Sequence, residues 1–367
     1  MTWKTSSGAL PLMAALLSIL MPAAGVAQQE ARAHGAARAQ ADSPGYHQLA
    51  AIPVGGEGFW DYLSADPVGH RLYVSHGTKV VVIDMQTNKV VGQVDSLPGV
   101  HGLVAAPSLG MGFASDGRGN AVAFVDLKTL QVTKRVKTGE NPDAILYVPG
   151  FEQVYTFNGR SNDATAIDAK TGDVVATIPL PGKPEFAVYD PGSKRIYNNI
   201  EDKSLIAVID PATHKVVATW PISPGEEASG LAIDVAHHRL FAVCRNGLMV
   251  MVNSETGAVV DTVPIGRGPD AARYDPGLGL AFASNGGGTV TIAHEDSPDH
   301  LRVVQTLKTQ PSARTMALDP TTHRIYLSAA EIETAPADST GRRRRRMVAG
   351  SFRVLVYGPG QAAGPGR

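Results

Sequence analysis

The sequence predicts an all-β fold, a seven-bladed β-propeller of four-stranded blades with an N-terminal strand completing the last blade. The first observation behind this is an internal repeat. An apolar pair followed by Asp stands at Val82-Ile83-Asp84, Phe124-Val125-Asp126, Ala166-Ile167-Asp168 and Val208-Ile209-Asp210, spaced 42 residues each time. A degenerate copy follows at Met251-Val252-Asn253. The second observation is that no stretch after residue 45 sustains a 3.6-residue apolar period, while short apolar runs alternate with turn formers. Repeats of this length, each read as four short strands, are the signature of a propeller.

The elements follow in chain order. In the first copy the strands are Tyr62–Asp66, Arg71–His76, Val80–Asp84 and Val90–Asp95, separated by Pro-Val-Gly, Gly-Thr-Lys and Met-Gln-Thr-Asn-Lys. A second series marks the next-to-innermost strand: Arg71-Leu72-Tyr73-Val74, Gly112-Phe113, Val154-Tyr155, Arg195-Ile196-Tyr197, Arg239-Leu240-Phe241, Ala281-Phe282 and Arg324-Ile325-Tyr326, seven copies in all. The seventh has strands near Met316–Asp319, Arg324–Ser328 and Phe352–Tyr357 and then stops. Its missing fourth strand is expected at the other end of the chain, where Ile52-Pro53-Val54-Gly55 matches the fourth-strand ending Val263-Pro264-Ile265-Gly266. Tyr46–Val54 should therefore close the ring. Pro53, Pro179, Pro221 and Pro264 all fall in fourth strands, the outer edge where a missing N–H breaks no ladder and discourages edge pairing.

The run from Arg71 to Val91, repeated from Arg195 to Val217, resembles the YVTN-repeat propellers of the YncE-like family. The resemblance spans Tyr46–Tyr357. It implies an exported propeller and assigns no activity, since members of that family mostly carry none. The literal tetrapeptide is replaced here by Tyr73-Val74-Ser75-His76 and Tyr197-Asn198-Asn199-Ile200.

Flanking segments read differently. Residues 1–27 are expected to be a secretory signal peptide: Lys4 leads, Ala9–Leu20 is apolar, and Gly25-Val26-Ala27 supplies small residues before a cut at Gln28. The expected location is periplasmic or extracellular, with no membrane span after cleavage. Residues 28–45 are expected to be a flexible leader, 46–358 the propeller, 329–350 an insertion in its last blade and 359–367 a C-terminal tail. Composition narrows the function. Net charge is −1, which argues against a nucleic-acid partner, and the single cysteine, Cys244, excludes an internal disulfide. Cys244 ends an apolar strand and reads as a packed thiol.

Function is expected on one face. Loops from strand 2 to strand 3, and from strand 4 into the next blade, emerge together at one mouth of the central channel. The opposite face carries turn sequences such as Asp-Pro-Gly-Ser-Lys, and the aspartates closing strand 3 (Asp84, Asp126, Asp168, Asp210) read as turn residues. At the mouth, the position that opens each innermost strand holds Asp61, His101, Asp143, Glu185, Ser229, Asp270 and Arg314. Turn geometry has no use for His, Glu or Arg there. Asp61, His101, Asp143, Glu185, Asp270 and Arg314 are thus the candidate ligand-binding residues. The first five would repel one another unless a divalent cation (Ca²⁺, Mg²⁺ or Mn²⁺) or a cationic ligand neutralises them. Arg314 would suit an anionic group. A wet channel whose polar ends meet water and backbone amides accounts for the same residues without a ligand.

The strand 2–3 loops add His76, Asp116, Arg118, Asn158, Arg160, Asn199, Glu201, Asp202, Arg245, Asn246 and Asn285 to that face, and Trp60, Tyr62 and Phe186 are placed to wall it. Arg342, Arg343, Arg344, Arg345 and Arg346 form a basic run inside the insertion, suited to an anionic contact or simply to solvent. His237, His238 and His323 fall in turns of the other face and read as solvated. The leading functional expectation is an exported binding or scaffold protein for a small ligand or a protein partner. The alternative is a metal-assisted, lactonase-like hydrolase, although no GxSxG or HExxH motif occurs. A quinone-dependent dehydrogenase fits poorly, because only Trp3, Trp60 and Trp220 are present.

Overall fold

A computed structural model describes residues 45–334 and 345–360, together with Met1. The expected signal peptide and nearly all of the leader lie outside the described residues, as do Arg342, Arg343 and Arg344. The described residues form seven four-stranded antiparallel sheets and one two-stranded hairpin. Within blades 1 to 6 the four strands pair in chain order, so each blade is a meander. Among the described residues no helix is long and apolar enough to cross a membrane.

Why these segments become blades is visible in their burial. The two middle strands of a blade are covered on both sides by neighbouring blades and read as continuous apolar runs. Arg71–His76 and Lys79–Asp84, for example, are buried at nearly every position. The outermost strands, such as Lys89–Val94, are mostly exposed. The third residue of every second strand is a buried aromatic: Tyr73, Phe113, Tyr155, Tyr197, Phe241, Phe282 and Tyr326. These rings pack between blades. Tyr73 joins Val80 and Val82 of its own blade to Leu103, Ala114 and Ala123 of the next. The core is thus a ring of inter-blade layers, and no single blade encloses one alone.

Turns repeat as regularly as strands. Asp84, Asp126 and Asp168 each accept backbone N–H bonds two and three residues on, at 2.7–2.9 Å. Those bonds hold the three carboxyls below the ordinary range. Their role as turn residues is what the sequence implied. Cys244 is buried, and burial pushes its thiol up to about 12.

The last blade closes as expected. Tyr46–Pro53 pairs antiparallel with Arg353–Pro359, from Tyr46 opposite Pro359 to Pro53 opposite Arg353. The blade then runs Tyr46–Pro53, Arg353–Pro359, Arg324–Ala329, Met316–Asp319 from rim to axis. Tyr46 anchors it: the hydroxyl donates to His323 O at 2.8 Å, and the ring meets Phe282 edge-on at 5.2 Å. Gln305 of blade 6 brackets the same residue, accepting from Tyr46 N and donating to Tyr46 O, both at 2.8 Å. The insertion in blade 7 carries a short hairpin, Ile332–Thr334 against Arg345–Met347.

If this closure carries the fold, Tyr46→Ala should cost about 3–5 kcal/mol in denaturant unfolding, as for other buried aromatics. Tyr46→Phe should cost about 1 kcal/mol, the net worth of one hydrogen bond. A loss below about 1 kcal/mol for Tyr46→Ala would mean that the ring does not depend on this strand.

Candidate functional site

Five of the seven innermost strands open with an irregularity. The pairing register to the second strand slips between Val100 and Gly102, Pro142 and Ile145, Pro184 and Ala187, Ala228 and Leu231, and Pro269 and Ala271. The residues inside these slips include His101, Asp143, Glu185, Ser229 and Asp270. In blades 1 and 7 the innermost strand is four residues long, Leu63–Asp66 and Met316–Asp319, and Asp61 and Arg314 lie just ahead of it. A bulge leaves its extra residue unpaired and re-aims the side chain, which is how the ladder can release a charged group toward the axis.

The openings of these strands are held from behind by residues that the sequence reading missed. Ser75 Oγ accepts from Asp61 N at 2.9 Å, and Ser115 Oγ accepts from Gly102 N at 3.2 Å. Asn198 Nδ2 donates to Glu185 O at 2.8 Å, and Ser284 Oγ donates to Arg314 O. All four are buried. Their signal in the sequence is a small polar residue one or two places after the buried aromatic of the second strand, followed at once by a second polar residue. Gly117 has a related role: a Cβ there would lie 2.6 Å from His101 Nε2, so only glycine leaves room for the ring.

The side chains form ion-paired groups. His101 Nδ1 donates to Asp61 Oδ2 at 2.7 Å and lies 3.4 Å from Asp143 Oδ1. Arg314 reaches Asp270 Oδ2 at 2.9 Å and Asp61 Oδ1 at 3.9 Å. Lys183 donates to Glu185 Oε1 at 2.7 Å and to Glu201 Oε2 at 2.5 Å. Much of the repulsion that the sequence left unanswered is therefore met by the protein's own cations. It is not met completely. Asp143 Oδ1 and Asp270 Oδ2 are buried, and apart from the ion-pair contacts to His101 and Arg314 they have no hydrogen bond among the described residues, and buried polar atoms are rarely left so.

Over these groups opens a cavity of about 1270 Å³, lined by Asp61, Asp143, Glu185, Asp270 and Arg314 among others. His101 stands behind Asp61 and does not line it. Of the strand 2–3 loop residues expected on this face, Glu201 and Arg245 line the cavity. His76, Asp116, Asn158, Asn199 and Asn285 are buried instead. His76 stacks on Phe352 at 4.3 Å. Asn158 binds Asp163 and Thr165, and Asn199 binds Ser229 O of the next blade, so these polar groups hold the loops in place. Arg346 of the insertion hairpin donates to Glu333 at 2.7 Å on the cavity wall.

Tyr62 forms the floor. Its ring lies 5.5 Å from Phe186, over which Arg273 places its guanidinium at 4.8 Å. Below them a second, mainly apolar cavity of about 470 Å³ continues down the channel past Leu103 and Ile145. Trp60 is buried against Phe352 and lies on the mouth side.

Burial and crowding set the charges. Asp270 is pushed up to about 7 by burial, which outweighs the nearby Arg314. Burial raises Asp143, with His101 opposing and Asp61 reinforcing. Glu185 is raised by burial and by Asp143. Burial would lower His101, but the hydrogen bond to Asp61 and the charge of Asp143 lift it to about 9, so the imidazole is cationic at neutral pH. Asp61, His101 and Asp143 also place one ligand atom each within 4.8 Å of one another, a set that fits a divalent cation.

No family model and no curated protein sequence matches the chain. Among solved structures it is similar to hydrazine synthase of Kuenenia stuttgartiensis, with a TM-score of 0.65 over 83% of this chain and 99% of that one. Identity is 18%, so the likeness concerns the propeller fold.

The raised carboxyl predicts a pH signature. The unfolded chain ionises Asp270 near its ordinary value of 3.8 while the folded chain keeps the proton up to about 7, so stability is lost as pH rises through the window between those two values. Asp270→Asn imitates the protonated side chain. The variant should melt with the wild type only near pH 3.5, pull progressively above it as pH rises to about 7 and keep that lead at pH 9, taking roughly 2–4 °C per kcal/mol. A variant that melts lower than wild type at pH 9 would show instead that the Arg314 pair stabilises the charged form.

Proposed function

We propose that this chain is an exported binding protein whose channel mouth takes a small ligand bearing an ammonium group. The observation that supports this most is the pair of buried carboxylate oxygens, Asp143 Oδ1 and Asp270 Oδ2, each with one ion-pair contact (to His101 at 3.4 Å and to Arg314 at 2.9 Å) and no hydrogen bond among the described residues, beneath a cavity large enough for a metabolite. Charge agrees. The cavity wall carries eight acidic side chains (Glu57, Asp61, Asp143, Glu185, Glu201, Glu227, Asp270, Glu333) against four basic ones (Lys183, Arg245, Arg314, Arg346). An entering cation would relieve that excess, and Arg314 or Lys183 would receive a carboxylate on the same ligand. The propeller fold is compatible with such a role, since it presents many loops on a rigid body. The export part of the reading rests on Lys4, the apolar Ala9–Leu20 and the small residues Gly25-Val26-Ala27, and on the repeat's resemblance to YncE-like propellers.

A second reading, metal-assisted hydrolysis, is favoured by the Asp61–His101–Asp143 set alone. There a divalent cation would supply a Lewis acid for an ester or lactone carbonyl. The protonated state of His101 counts against it as the general base.

Calorimetric titration with a panel of small alkylammonium compounds and amino acids separates the two. The binding reading expects saturable heat for an ammonium compound, tighter at pH 8 than at pH 6, because Asp270 must be ionised to receive the cation. Asp143→Asn and Asp270→Asn should each weaken it by about tenfold or more, about 1.4 kcal/mol per decade. No binding across the panel, together with a melting temperature that Ca²⁺ or Mn²⁺ raises and a chelator lowers, would overturn it in favour of the metal reading.

A further inference from the structure

A second cluster of ligand-type side chains lies on the opposite face, between blades 5 and 6. Asp234 ends the innermost strand Ala228–Asp234, and His237 follows in the turn. Glu295 comes from the third strand of blade 6, Thr289–Ser297, which with its partner His300–Lys308 runs nine residues where the corresponding strands of blade 1 run six. His237 Nδ1 lies 2.7 Å from Asp234 Oδ2 and 3.4 Å from Glu295 Oε1. Tyr274 donates to Glu295 Oε2 at 2.6 Å and approaches Asp234 Oδ2 at 3.2 Å. His237, expected to be merely solvated, thus bridges two acidic groups with its ring half exposed.

The repeat shows how unusual Glu295 is. Its backbone N–H donates to Gly279 O, as Met85 does to His70 O, Leu127 to Gly110 O, Ala169 to Glu152 O and Ser254 to His238 O. Glu295 therefore occupies the slot that blades 1, 2 and 3 fill with Met85, Leu127 and Ala169. A carboxylate in an apolar slot is expensive unless something compensates it. The compensation within the chain is incomplete: Glu295 is 8% exposed, and Oε1 has no hydrogen-bond partner among the described residues although it faces His237. Asp234 differs from its counterparts in blades 4 and 7, whereas Asp275 of blade 6 likewise turns its Oδ2 to a histidine, His323. In blade 7 both carboxyl oxygens of Asp319 serve its own turn, through Thr321 N and Thr322 Oγ1. Asp234 gives Oδ1 to Ala236 N, and its Oδ2 meets His237 and Tyr274.

We propose that Asp234, His237 and Glu295 form a transition-metal site, Zn²⁺ being the ion it suits best, with the exposed side left to water. Two carboxylates and an imidazole are hard-to-borderline donors of the kind Zn²⁺ takes, at about 2.0–2.2 Å each. One atom of each residue already lies within 4.8 Å of the other two, and ligands around a tetrahedral ion stand roughly 3.4 Å apart by that geometry. The half-exposed His237 turn can open by the small amount required. Tyr274 orients both carboxylates from the buried side, as outer-sphere partners of metal ligands do.

The test is Zn²⁺ titration of the chelator-treated protein by calorimetry and melting temperature, in wild type and three variants. Glu295→Met restores the residue type that blade 1 uses, so it should fold and melt at or above the metal-free wild type. His237→Ala alters only an exposed turn. Asp61→Asn/Asp143→Asn removes the carboxylates of the ligand set at the channel mouth. The expected result is one Zn²⁺ per chain, weakened at least about tenfold in Glu295→Met and in His237→Ala and retained in Asp61→Asn/Asp143→Asn. Absence of Zn²⁺ binding in the wild type would overturn the proposal. So would binding unchanged by the first two variants, or binding lost only from Asp61→Asn/Asp143→Asn.

Discussion

Everything at the channel mouth depends on the ladder between Tyr46–Pro53 and Arg353–Pro359. Seven blades supply one residue each to the axis, and those residues meet only if the ring is closed. An open ring would leave blades 1 and 7 free to part, and with them Asp61 and Arg314, which touch across that seam. The chain invests in the seam accordingly. Tyr46 is tied by its backbone to Gln305, by its hydroxyl to His323 and by its ring to Phe282. Closure through a strand from the far end of the chain makes the termini part of the same sheet and leaves only the short outer strands as edges.

Given closure, the site follows from a conflict. A propeller brings equivalent positions together, and when those positions carry Asp, His, Asp, Glu and Asp their charges crowd one axis. The fold eases this in two ways. It supplies counter-charges from the same layer, with His101 between Asp61 and Asp143, Arg314 beside Asp270, and Lys183 between Glu185 and Glu201. It also lets carboxyls keep protons, as the raised Asp270 and Glu185 show. What is left over, a cavity wall with eight acidic side chains against four basic ones, gives a cation a reason to enter. Tyr62 and Phe186 end that cavity and separate it from the apolar channel below.

The fold was legible because its evidence is local. The recurrence of an apolar pair and Asp, a turn of fixed length and an aromatic at one strand position can be counted along the chain. The mouth residues were legible for a related reason: Asp61, His101, Asp143, Glu185, Asp270 and Arg314 occupy one slot per repeat, and repeat arithmetic aligns them. The pairings were not legible. Ser75 supporting Asp61, Asn199 reaching the next blade, and His101 choosing Asp61 over solvent are contacts between strands or blades. Local pattern does not encode them. Glu295 is the sharpest case: it keeps the repeat slot of Met85, yet its meeting with His237 is a contact from blade 6 to blade 5 that no position in the repeat announces.

The central claim is that Asp143 and Asp270 receive a positive charge at the channel mouth. Crystals soaked at pH about 8 in caesium chloride, a monovalent cation probe with a strong anomalous signal, test it whatever the natural ligand is. The account predicts an anomalous peak in contact with the Asp143 or Asp270 carboxylate, displaced when a bound alkylammonium compound is added and missing from Asp143→Asn/Asp270→Asn crystals. A mouth without caesium while peaks appear elsewhere on the surface would contradict it, and would return these carboxylates to the role of a hydrated channel rim.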